Sequence, residues 1–323
     1  MISFCCLSYN HGKYIEECIR SIWNQNLSDV EILALDDGSS DNSVEVLNKL
    51  KEISPCPMTV ISQANSGCIG KNFNKLINLA QGEYVAVIAC DDNFIENTIK
   101  EKLELFNQDK DLVFVCNSRI RAVNEFGEEI KDYPKMKLDE IENPTPNDLL
   151  KLEFQEIHSY YIQGAIYKKS IIEKVNGFDD DMICDDIILR TKISKYLLKH
   201  PELKFIVLHK NGVNYRRHSS NVSNNSIRQI EGVLEYFVKY QNKISPALLN
   251  WAYSAIREDS SKKQSVINIF KKHKKEKIIS EVINYGYIYK QFGIPFIFQI
   301  KKYKNAEGKR TKILTVFGMR IKI

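Results

Sequence analysis

The sequence contains no long hydrophobic run. Its longest apolar runs, YVAVIAC at 84–90 and FGIPFIF at 292–298, fall well short of the roughly 18 residues that a bilayer-spanning helix needs. The N-terminus, MISFCCLSYNHG, lacks the basic start of a signal peptide and turns polar by Ser8, so we interpret it as a first strand. These absences predict a protein that has no transmembrane helix and stays in the cytosol.

Several chemical signatures are also missing. The eight cysteines include no C-x-x-C pair and mostly lie in apolar runs, which favours reduced core thiols over zinc sites or disulfides. The first predicted strand is followed by SYNHGKYIEE, which has only Gly12 in place of G-x-G-x-x-G, and no Walker A loop occurs. A dinucleotide-dependent enzyme is therefore disfavoured. No nucleic-acid recognition motif is evident, so no nucleic-acid partner is expected.

Charge is distributed unevenly along a chain long enough to bury a sizeable core. The 323 residues are 43% hydrophobic, which predicts one large domain or one domain with an appendage. Residues 262–323 carry 16 Lys and Arg against three acids, a net charge of +13, whereas residues 1–261 carry −8. This asymmetry predicts a neutral or acidic catalytic body and a tail that meets an anionic surface.

Short strand-like runs alternate with helical patterns through the first half of the chain. The predicted strands are ISFCCLS (2–8), VEILALD (30–36), MTVISQ (58–63) and EYVAVIAC (83–90). Such alternation predicts an α/β fold with βαβ crossovers, a mostly parallel sheet and helices on both faces. Residues 226–292 have a helical pattern, which predicts a basic helical extension at the C-terminus.

Polar clusters follow all four predicted strands. They are SYNHG, DDGSSD, QANSG and CDDN, in chain order. In open α/β sheets, ligands bind outside the carboxyl ends of the strands, so these four clusters are expected to form one site.

Together these segments resemble the family-2 glycosyltransferases of the GT-A fold. SYNHGKYIEECIRSIWNQ is similar to the opening strand, loop and helix of that family, and VEILALDDGSSDNS to its nucleotide-binding second strand. ANSGCIGKNFNKLINLAQGEYVAVIACDD follows the family order of N-x-G, a basic-Asn pair, A-x-G-E-Y and the D-x-D region. The resemblance covers residues 2–224 and implies a Rossmann-like GT-A catalytic domain over 1–224, followed by a second region over 225–323.

The resemblance implies that a nucleotide-sugar donor binds at the ends of these strands. Either Asp36 or Asp37 would accept a hydrogen bond from N3–H of a uracil-type base, which favours a UDP-sugar but leaves dTDP open. The alternative is that DDGSSD forms only a turn and a helix cap. The other donor contacts implied here are Ser8, Asn10, Asn65, Gly67, Lys71 and Asn72. For Lys71, a solvated helix position is an equally simple interpretation.

Asp91 and Asp92 correspond to the family's metal-binding region. A divalent cation, Mn²⁺ or Mg²⁺, would offset the charge that develops on the diphosphate leaving group. The family usually has D-x-D-D here, but this chain has Ala89 at the first position. Asp91 is therefore the expected metal ligand, with Asp92 as a donor contact. The missing first aspartate also raises a non-catalytic sugar-nucleotide-binding module as the alternative function.

Two later segments complete the implied active site. NGFDDDMICDDIILRTKIS resembles the acceptor-side segment, so Asp186 is the expected catalytic base of an inverting transfer, with Asp185 beside it. Both acids are also favourable at a helix N-terminus, which is the structural alternative. VNYRRHSSNVS implies that Arg216 and His218 contact the diphosphate, with His218 also a metal ligand; an isolated basic loop is the alternative. Gly164 is expected near the acceptor.

The acceptor implied by the resemblance is a glycan, free or linked to polyprenyl diphosphate, in bacterial surface polysaccharide synthesis. The basic residues after 262 are interleaved with six aromatic residues, which favours peripheral binding to an anionic membrane on its cytoplasmic face. The aromatic residues are Tyr285, Tyr287, Tyr289, Phe292, Phe296 and Phe298. A packed subdomain with a solvated basic face, or a homodimer interface, is the alternative.

Overall fold

The computed structural model describes residues 1–241, 243–294, 298–305, 309–316 and 319–323. The chain divides into two units, Met1–Asn221 and Val222–Ile323. The division lies close to residue 224, where the resemblance to the family ends. The side chains of the six aromatic residues after 284 lie outside the described part, as does Phe296 altogether.

The first unit alternates strands and helices. In chain order its elements are β1 (Ile2–Ser8), α1 (Ile15–Trp23), β2 (Val30–Asp36), α2 (Ser43–Glu52), β3 (Met58–Ser62), α3 (Ile69–Leu79), β4 (Tyr84–Ala89), β5 (Asn93–Phe94), α4 (Thr98–Gln108), β6 (Leu112–Asn124), α5 (Pro146–Gln155), β7 (Ile166–Lys168), α6 (Lys169–Lys174), α7 (Asp186–Leu197) and β8 (Lys204–Arg217).

One eight-stranded sheet organises this unit, in the order β3-β2-β1-β4-β7-β6-β8-β5. Strands β3, β2, β1 and β4 are parallel, and β6 is parallel to β8. The short strands β7 and β5 run antiparallel to their neighbours. The α/β fold with a mostly parallel sheet is thereby confirmed.

Each face of the sheet is covered by helices, as β1 illustrates. Cys5 and Leu7 point into a cluster that includes Phe73 of α3, whereas Phe4 and Cys6 point into a cluster that includes Ile19 of α1. Successive side chains of a strand point to opposite faces, so a strand that is buried throughout requires two cores. All eight cysteines are free, and five of them are buried, as predicted for reduced core thiols.

The second unit is helical at first and then forms strands. Its helices are α8 (Ser226–Tyr240), α9 (Pro246–Glu258), α10 (Lys263–Lys272) and α11 (Glu276–Tyr285). They are followed by a four-stranded antiparallel sheet of β9 (Tyr287–Ile294), β10 (Phe298–Lys304), β11 (Arg310–Val316) and β12 (Met319–Lys322). Helix was therefore the wrong prediction for 287–292. The aromatic and β-branched residues of YIYKQF suit a strand better than a helix.

Candidate functional site

Asp91 and Asp92 lie in a tight turn after the end of β4. In this turn the Asp92 N–H donates to the Ala89 carbonyl at 3.0 Å. Oδ2 of Asp91 lies 3.1 Å from Nε2 of His218 and 3.7 Å from Nε2 of His11. Oδ1 of Asp92 instead accepts a hydrogen bond from the backbone N–H of Arg216 at 2.8 Å. The two adjacent, buried carboxylates therefore have different partners.

Loops at the ends of β1 and β8 hold the two histidines. The His11 N–H donates to Oγ of Ser43 at 3.0 Å, and Asn10 before it adopts a left-handed φ of 57°. The His218 N–H donates to Oδ1 of Asn221 at 2.6 Å, and Nδ2 of the same amide donates to Oδ2 of Asp91 at 3.2 Å. Asn221 thus fixes the loop that presents His218 to Asp91.

His11, Asp91 and His218 fit a divalent cation. One ligand atom from each lies within 4.8 Å of the others. Ligand atoms about 2 Å from one cation are themselves separated by roughly 3–4 Å, which the distances to Oδ2 of Asp91 match. The donor set of two imidazoles and one carboxylate suits a transition metal better than a purely oxygen-liganded ion.

The electrostatics of the two aspartates differ accordingly. Burial opposes ionisation of Asp91, but the nearby imidazoles of His11 and His218 outweigh it and lower the pKa of this carboxyl. Burial and the adjacent Asp91 raise the pKa of Asp92 well above its usual range. Asp91 is therefore the anionic member of the pair, as a metal ligand must be.

Arg216 lies beneath this site and is only 2% exposed. Its Nε donates to the Asp91 carbonyl at 2.9 Å, its guanidinium pairs with Glu17, and it stacks over the ring of Tyr14 at 4.9 Å. A contact with the donor diphosphate, as the resemblance implies, would require these bonds to be exchanged. In this structure Arg216 positions the Asp91–Asp92 turn.

Asp36 and Asp37 lie at the end of β2 with their carboxylates already engaged. Asp36 accepts hydrogen bonds from the N–H and Oγ of Ser39 at 2.9 and 2.5 Å, so it does form the predicted turn. Oδ1 of Asp37 accepts from Nε2 of Gln63 and from the Ser66 N–H, both at 2.9 Å. Oδ2 of Asp37 accepts from Oγ of Ser66 at 3.1 Å and keeps a second lone pair, so these bonds do not preclude a base contact.

Two donor-side residues lie at the end of β1, and one of them, Asn10, binds the loop after β2. Oδ1 of Asn10 accepts from the Ser40 N–H at 2.8 Å, and the Asn10 N–H donates to Oγ of Ser39 at 2.7 Å. Oγ of Ser8 is buried and has no hydrogen-bond partner among the described residues. Buried hydroxyls are normally paired, so Ser8 is available to a ligand.

The start of α3 supplies the remaining donor-side residues. Asn72 is buried, with Oδ1 accepting from Gln63 and Ser66, and its Nδ2 has no partner in the described part of the chain. Lys71 is exposed. Oδ1 of Asn65 accepts from the N–H of Gly67, whose φ of +69° favours glycine. Gln63, Ser66 and Asn72 therefore link Asp37 to this loop.

Asp185 and Asp186 lie at the N-terminus of α7. Burial raises the pKa of Asp185, and burial together with the Asp185 carboxylate raises the pKa of Asp186 well above its usual range. The Asp186 side chain is still 25% exposed, and Nη1 of Arg190 lies 3.3 Å from its Oδ2. Arg190 is itself held by Glu153, whose Oε1 accepts from its Nε at 2.6 Å. A partly exposed carboxyl with a raised pKa is suited to accept a proton.

Gly164 is buried at a φ of +83°. A side chain there would meet the backbone of Gly212 and Cβ of Val213 at 3.4 Å. A Cβ at that distance makes an ordinary contact, so the positive φ is what favours glycine here, and a position near the acceptor stays a prediction.

The sequence reasoning missed several residues of the site. His11 belongs to SYNHG, a segment singled out above, and its place at a strand end could have identified it. Asn221, Glu17 and Arg190 also lie in segments quoted above. No local pattern indicates that Asn221 contacts Asp91 or that Glu17 pairs with Arg216, because these partners are distant in the sequence. Arg190 and Asp186 have the i,i+4 spacing of a helical ion pair, which could have identified Arg190.

Comparison with known proteins identifies the family. The sequence profile described as Glycosyl transferase family 2 matches residues 3–175, and the chain belongs to this family. It is 31% identical over 184 residues to an uncharacterized glycosyltransferase of Nostoc sp., covering 55% of this chain and 54% of that protein. It is 33% identical over 127 residues to the chondroitin synthase of Pasteurella multocida, covering 39% of this chain and 13% of the synthase. The chain thus spans about half or less of these relatives.

Solved structures confirm the GT-A type of fold. The S. aureus TarS fragment 1–349 in complex with UDP-GlcNAc superposes with a TM-score of 0.61 at 16% identity, covering 96% of this chain and 98% of that one. The mannosyltransferase PcManGT from Pyrobaculum calidifontis, in complex with GDP-Man and Mn²⁺, gives a TM-score of 0.51 at 15% identity, covering 87% and 84%. In the described part of the present chain, every helix is too short or too polar to cross a bilayer.

Proposed function

We propose that this protein is a metal-dependent inverting glycosyltransferase that moves a sugar from a nucleotide-diphospho-sugar to a hydroxyl of a glycan acceptor. The observation that carries the proposal is the cluster of His11, Asp91 and His218 at the end of β4. Contacts link this cluster to Asp186: Arg216 donates its N–H to Asp92, and its neighbour Tyr215 packs on Tyr161. Arg190, which pairs with Asp186, lies over the ring of Tyr160. A candidate metal site and a candidate base therefore belong to one site, as in-line displacement requires.

The donor is proposed to lie across the ends of β1, β2 and β4. Either Asp36 or Asp37 is a candidate for the base contact, because both carboxylates lie at the end of β2 and both already accept hydrogen bonds from loop residues. Orphaned polar atoms of Ser8 and Asn72 provide further contacts. We favour a UDP-sugar, which TarS also binds, although the GDP-Man complex of the mannosyltransferase shows that the fold accepts another nucleotide.

The cation, Mn²⁺ or Mg²⁺, would be held by Asp91 and His218, with His11 as a third ligand. When bound, it supplies Lewis-acid stabilisation of the leaving diphosphate. Magnesium prefers oxygen ligands, so two imidazoles favour Mn²⁺. The Arg216 side chain holds the turn that presents Asp91.

Asp186 is the proposed base. It would take the proton of the acceptor hydroxyl as that oxygen attacks the anomeric carbon. Arg190 keeps the carboxylate oriented, and Glu153 keeps Arg190 in place. Asp185 raises the pKa of Asp186 through its own charge.

The C-terminal sheet is proposed to bind the cytoplasmic face of a membrane, where a polyprenyl-diphosphate-linked acceptor would be presented. The register of β10, β11 and β12 defines one face, here called the basic face: Ile300, Lys302, Lys304, Arg310, Lys312, Leu314, Val316, Met319 and Ile321. Met319 and Ile321 are 67% and 50% exposed. On the opposite face Tyr303 is buried, and its hydroxyl donates to Glu281 of α11 at 2.8 Å.

The basic face has apolar residues at one end and lysines at the other. Burial of apolar area and attraction to anionic headgroups both favour binding to a lipid surface. A homodimer that uses the same face, or a face that is merely solvated, is the alternative.

A non-catalytic binding module is the second candidate, because Ala89 stands where the family usually has aspartate. The proposed base Asp186 and the segment with Arg216 and His218 are both present, which argues against it, since a module without chemistry has no need of either.

Donor hydrolysis tests the proposal directly. A panel of UDP-, dTDP- and GDP-sugars is incubated with the protein, with Mn²⁺, with Mg²⁺ or with EDTA, and released nucleotide is measured. We expect the protein to hydrolyse at least one donor and EDTA to abolish this hydrolysis. Asp91→Ala should show no hydrolysis, although its far-UV circular dichroism spectrum should match that of the unaltered protein. Binding of a donor without turnover under every condition would favour the non-catalytic module.

A further inference from the structure

A cavity of about 270 Å³ lies between the segment after β6 and the segment after α5. Its lining includes Tyr133, Met136, Glu156, His158 and Tyr161. Ligand pockets are typically about 300–1,000 Å³ and combine aromatic walls with a few polar groups, so a space of this size suits one small ring.

Aromatic side chains form a continuous group at this cavity. The ring centroids of Tyr161 and Tyr215 are 5.1 Å apart, and those of Tyr161 and His158 are 4.4 Å apart in an edge-on arrangement. The hydroxyls of Tyr133 and Tyr161 are 3.5 Å apart. Such a group offers flat apolar faces with polar edges, which matches the two kinds of surface on a sugar ring.

His158, one of the lining residues, has a ring nitrogen with unused hydrogen-bonding capacity. Nε2 of His158 is buried and has no hydrogen-bond partner among the described residues. Burial and the charge of Arg190 lower the pKa of His158 well below its usual range, so the ring is neutral. A buried unpaired ring nitrogen is costly unless a ligand pairs with it.

The backbone at the same segment is strained. Ile157 adopts a φ of 63°, in the left-handed region that β-branched residues avoid. Strain of this kind clusters at ligand sites, where the surrounding structure maintains it. His158 is the residue that directly follows Ile157.

The charges around the cavity nearly balance. Lys135 is exposed, Lys137 pairs with Glu140 at 2.8 Å, and Glu156 contributes one acid to the lining. A phosphate or carboxylate would meet no concentrated positive charge, so an uncharged ring is favoured.

The cavity also adjoins both halves of the candidate active site. Tyr161 packs on Tyr215, and the next residue, Arg216, donates its backbone N–H to Asp92. Arg190, which pairs with Asp186, lies over the ring of Tyr160 at 5.7 Å. These contacts connect the cavity to the proposed base.

From these observations we infer that the cavity is the acceptor subsite and takes a neutral pyranose, stacked on Tyr161 and hydrogen-bonded to Nε2 of His158. The inference rests on the proposed function for the identity of the reaction, but the subsite can be tested by binding alone.

The test is saturation-transfer NMR with a panel of methyl pyranosides: glucoside, galactoside, mannoside and the two N-acetylhexosaminides. We expect at least one to receive saturation on its ring C–H protons, with or without UDP present. Tyr161→Ala should weaken that binding about tenfold or more, whereas Tyr161→Phe, which keeps the ring, should bind normally. Phe126→Ala is the matched control, because Phe126 is 80% exposed and does not line the cavity.

His158→Phe is a second variant that preserves ring volume and removes the nitrogen. It should bind about tenfold more weakly while its melting temperature stays close to that of the unaltered protein. Absence of binding by every pyranoside, unchanged binding in Tyr161→Ala, or displacement by UDP would each overturn the inference.

Donor hydrolysis separates this inference from the proposed function. Phe126→Ala should hydrolyse donor at an unchanged rate, because Phe126 is exposed and does not line the cavity. If the unaltered protein hydrolyses none of the donors, the proposed function is wrong. The pyranoside-binding result would still show whether the cavity binds a sugar.

Discussion

Nε2 of His218 lies 3.1 Å from Oδ2 of Asp91, although 127 positions separate these residues in the sequence. The short strand β5 explains the approach, because it begins soon after Asp91 and pairs with β8 through Asn93 and Asn214. The pairing of β5 with β8 therefore fixes the end of β8 relative to the turn after β4 that contains Asp91. A candidate metal site assembled in this way is as rigid as the sheet beneath it.

Removal of either histidine should weaken metal binding. Mn²⁺ titration followed by the EPR signal of the free ion should show at least about tenfold weaker binding in His218→Ala and in His11→Ala, because each loses a ligand. His200→Ala is the matched control, since His200 pairs with Glu202 away from the site. Normal Mn²⁺ affinity in His11→Ala would reduce the site to Asp91 and His218.

Asp186→Asn should lose roughly 10²- to 10⁴-fold in turnover, the usual contribution of a general base, while donor affinity changes little. Single-turnover transfer and calorimetric UDP binding measure the two quantities separately. A comparable loss in Asp185→Asn, with Asp186→Asn near normal, would assign the base to the other carboxylate.

The pH profile of kcat/KM should also report on this pair. A base must be ionised, and the pKa of Asp186 is raised, so activity should fall with decreasing pH at a higher pH than an ordinary aspartate, near 4, would give. Asp185→Asn removes a charge that contributes to the rise, so its acidic limb should move to lower pH. An identical limb in both proteins would show that another group controls it.

Membrane binding should depend on both ends of the basic face. Co-sedimentation with vesicles containing phosphatidylserine should weaken with salt and in Lys304→Glu/Lys312→Glu, by about fivefold for each lysine removed from the surface. Met319→Ser/Ile321→Ser should also weaken it, since exposed apolar area is lost. Lys51→Glu, at an exposed position on the first unit, is the control.

Equal binding to neutral and anionic vesicles, or none to either, would remove the membrane proposal. A concentration-dependent dimer that Met319→Ser/Ile321→Ser disrupts would instead assign the same face to self-association.

The sequence was most informative where the chemistry is local. Strand ends after β1, β2, β3 and β4 carry polar clusters that meet at one edge, because parallel strands must end on the same side. His218 was connected to Asp91 only through the resemblance, and His11 was overlooked. The bonds from Arg216 to Glu17 and Asp91 depend on pairings across the sheet, which no local pattern encodes.

The C-terminal strands show a different limit. Residues 287–292 mix charged and apolar side chains, and the sequence predicts that the helical pattern continues past Gly286. Gly286 ends α11 with a φ of +89°, a conformation that helices do not continue through, and the alternation in β10 and β11 then has period two.

The parallel pair β6 and β8 requires a long crossover from Asn124 to Lys204. Tyr133, His158, Tyr161 and Asp186 all lie on that crossover, whereas Asp37, Asn72 and Asp91 precede it. The crossover also contributes β7, which pairs with β4 and β6, so it is part of the sheet as well as of the loops. If the acceptor binds as proposed, substitutions on this one segment would change the acceptor while the proposed nucleotide contacts, which precede it, stay the same.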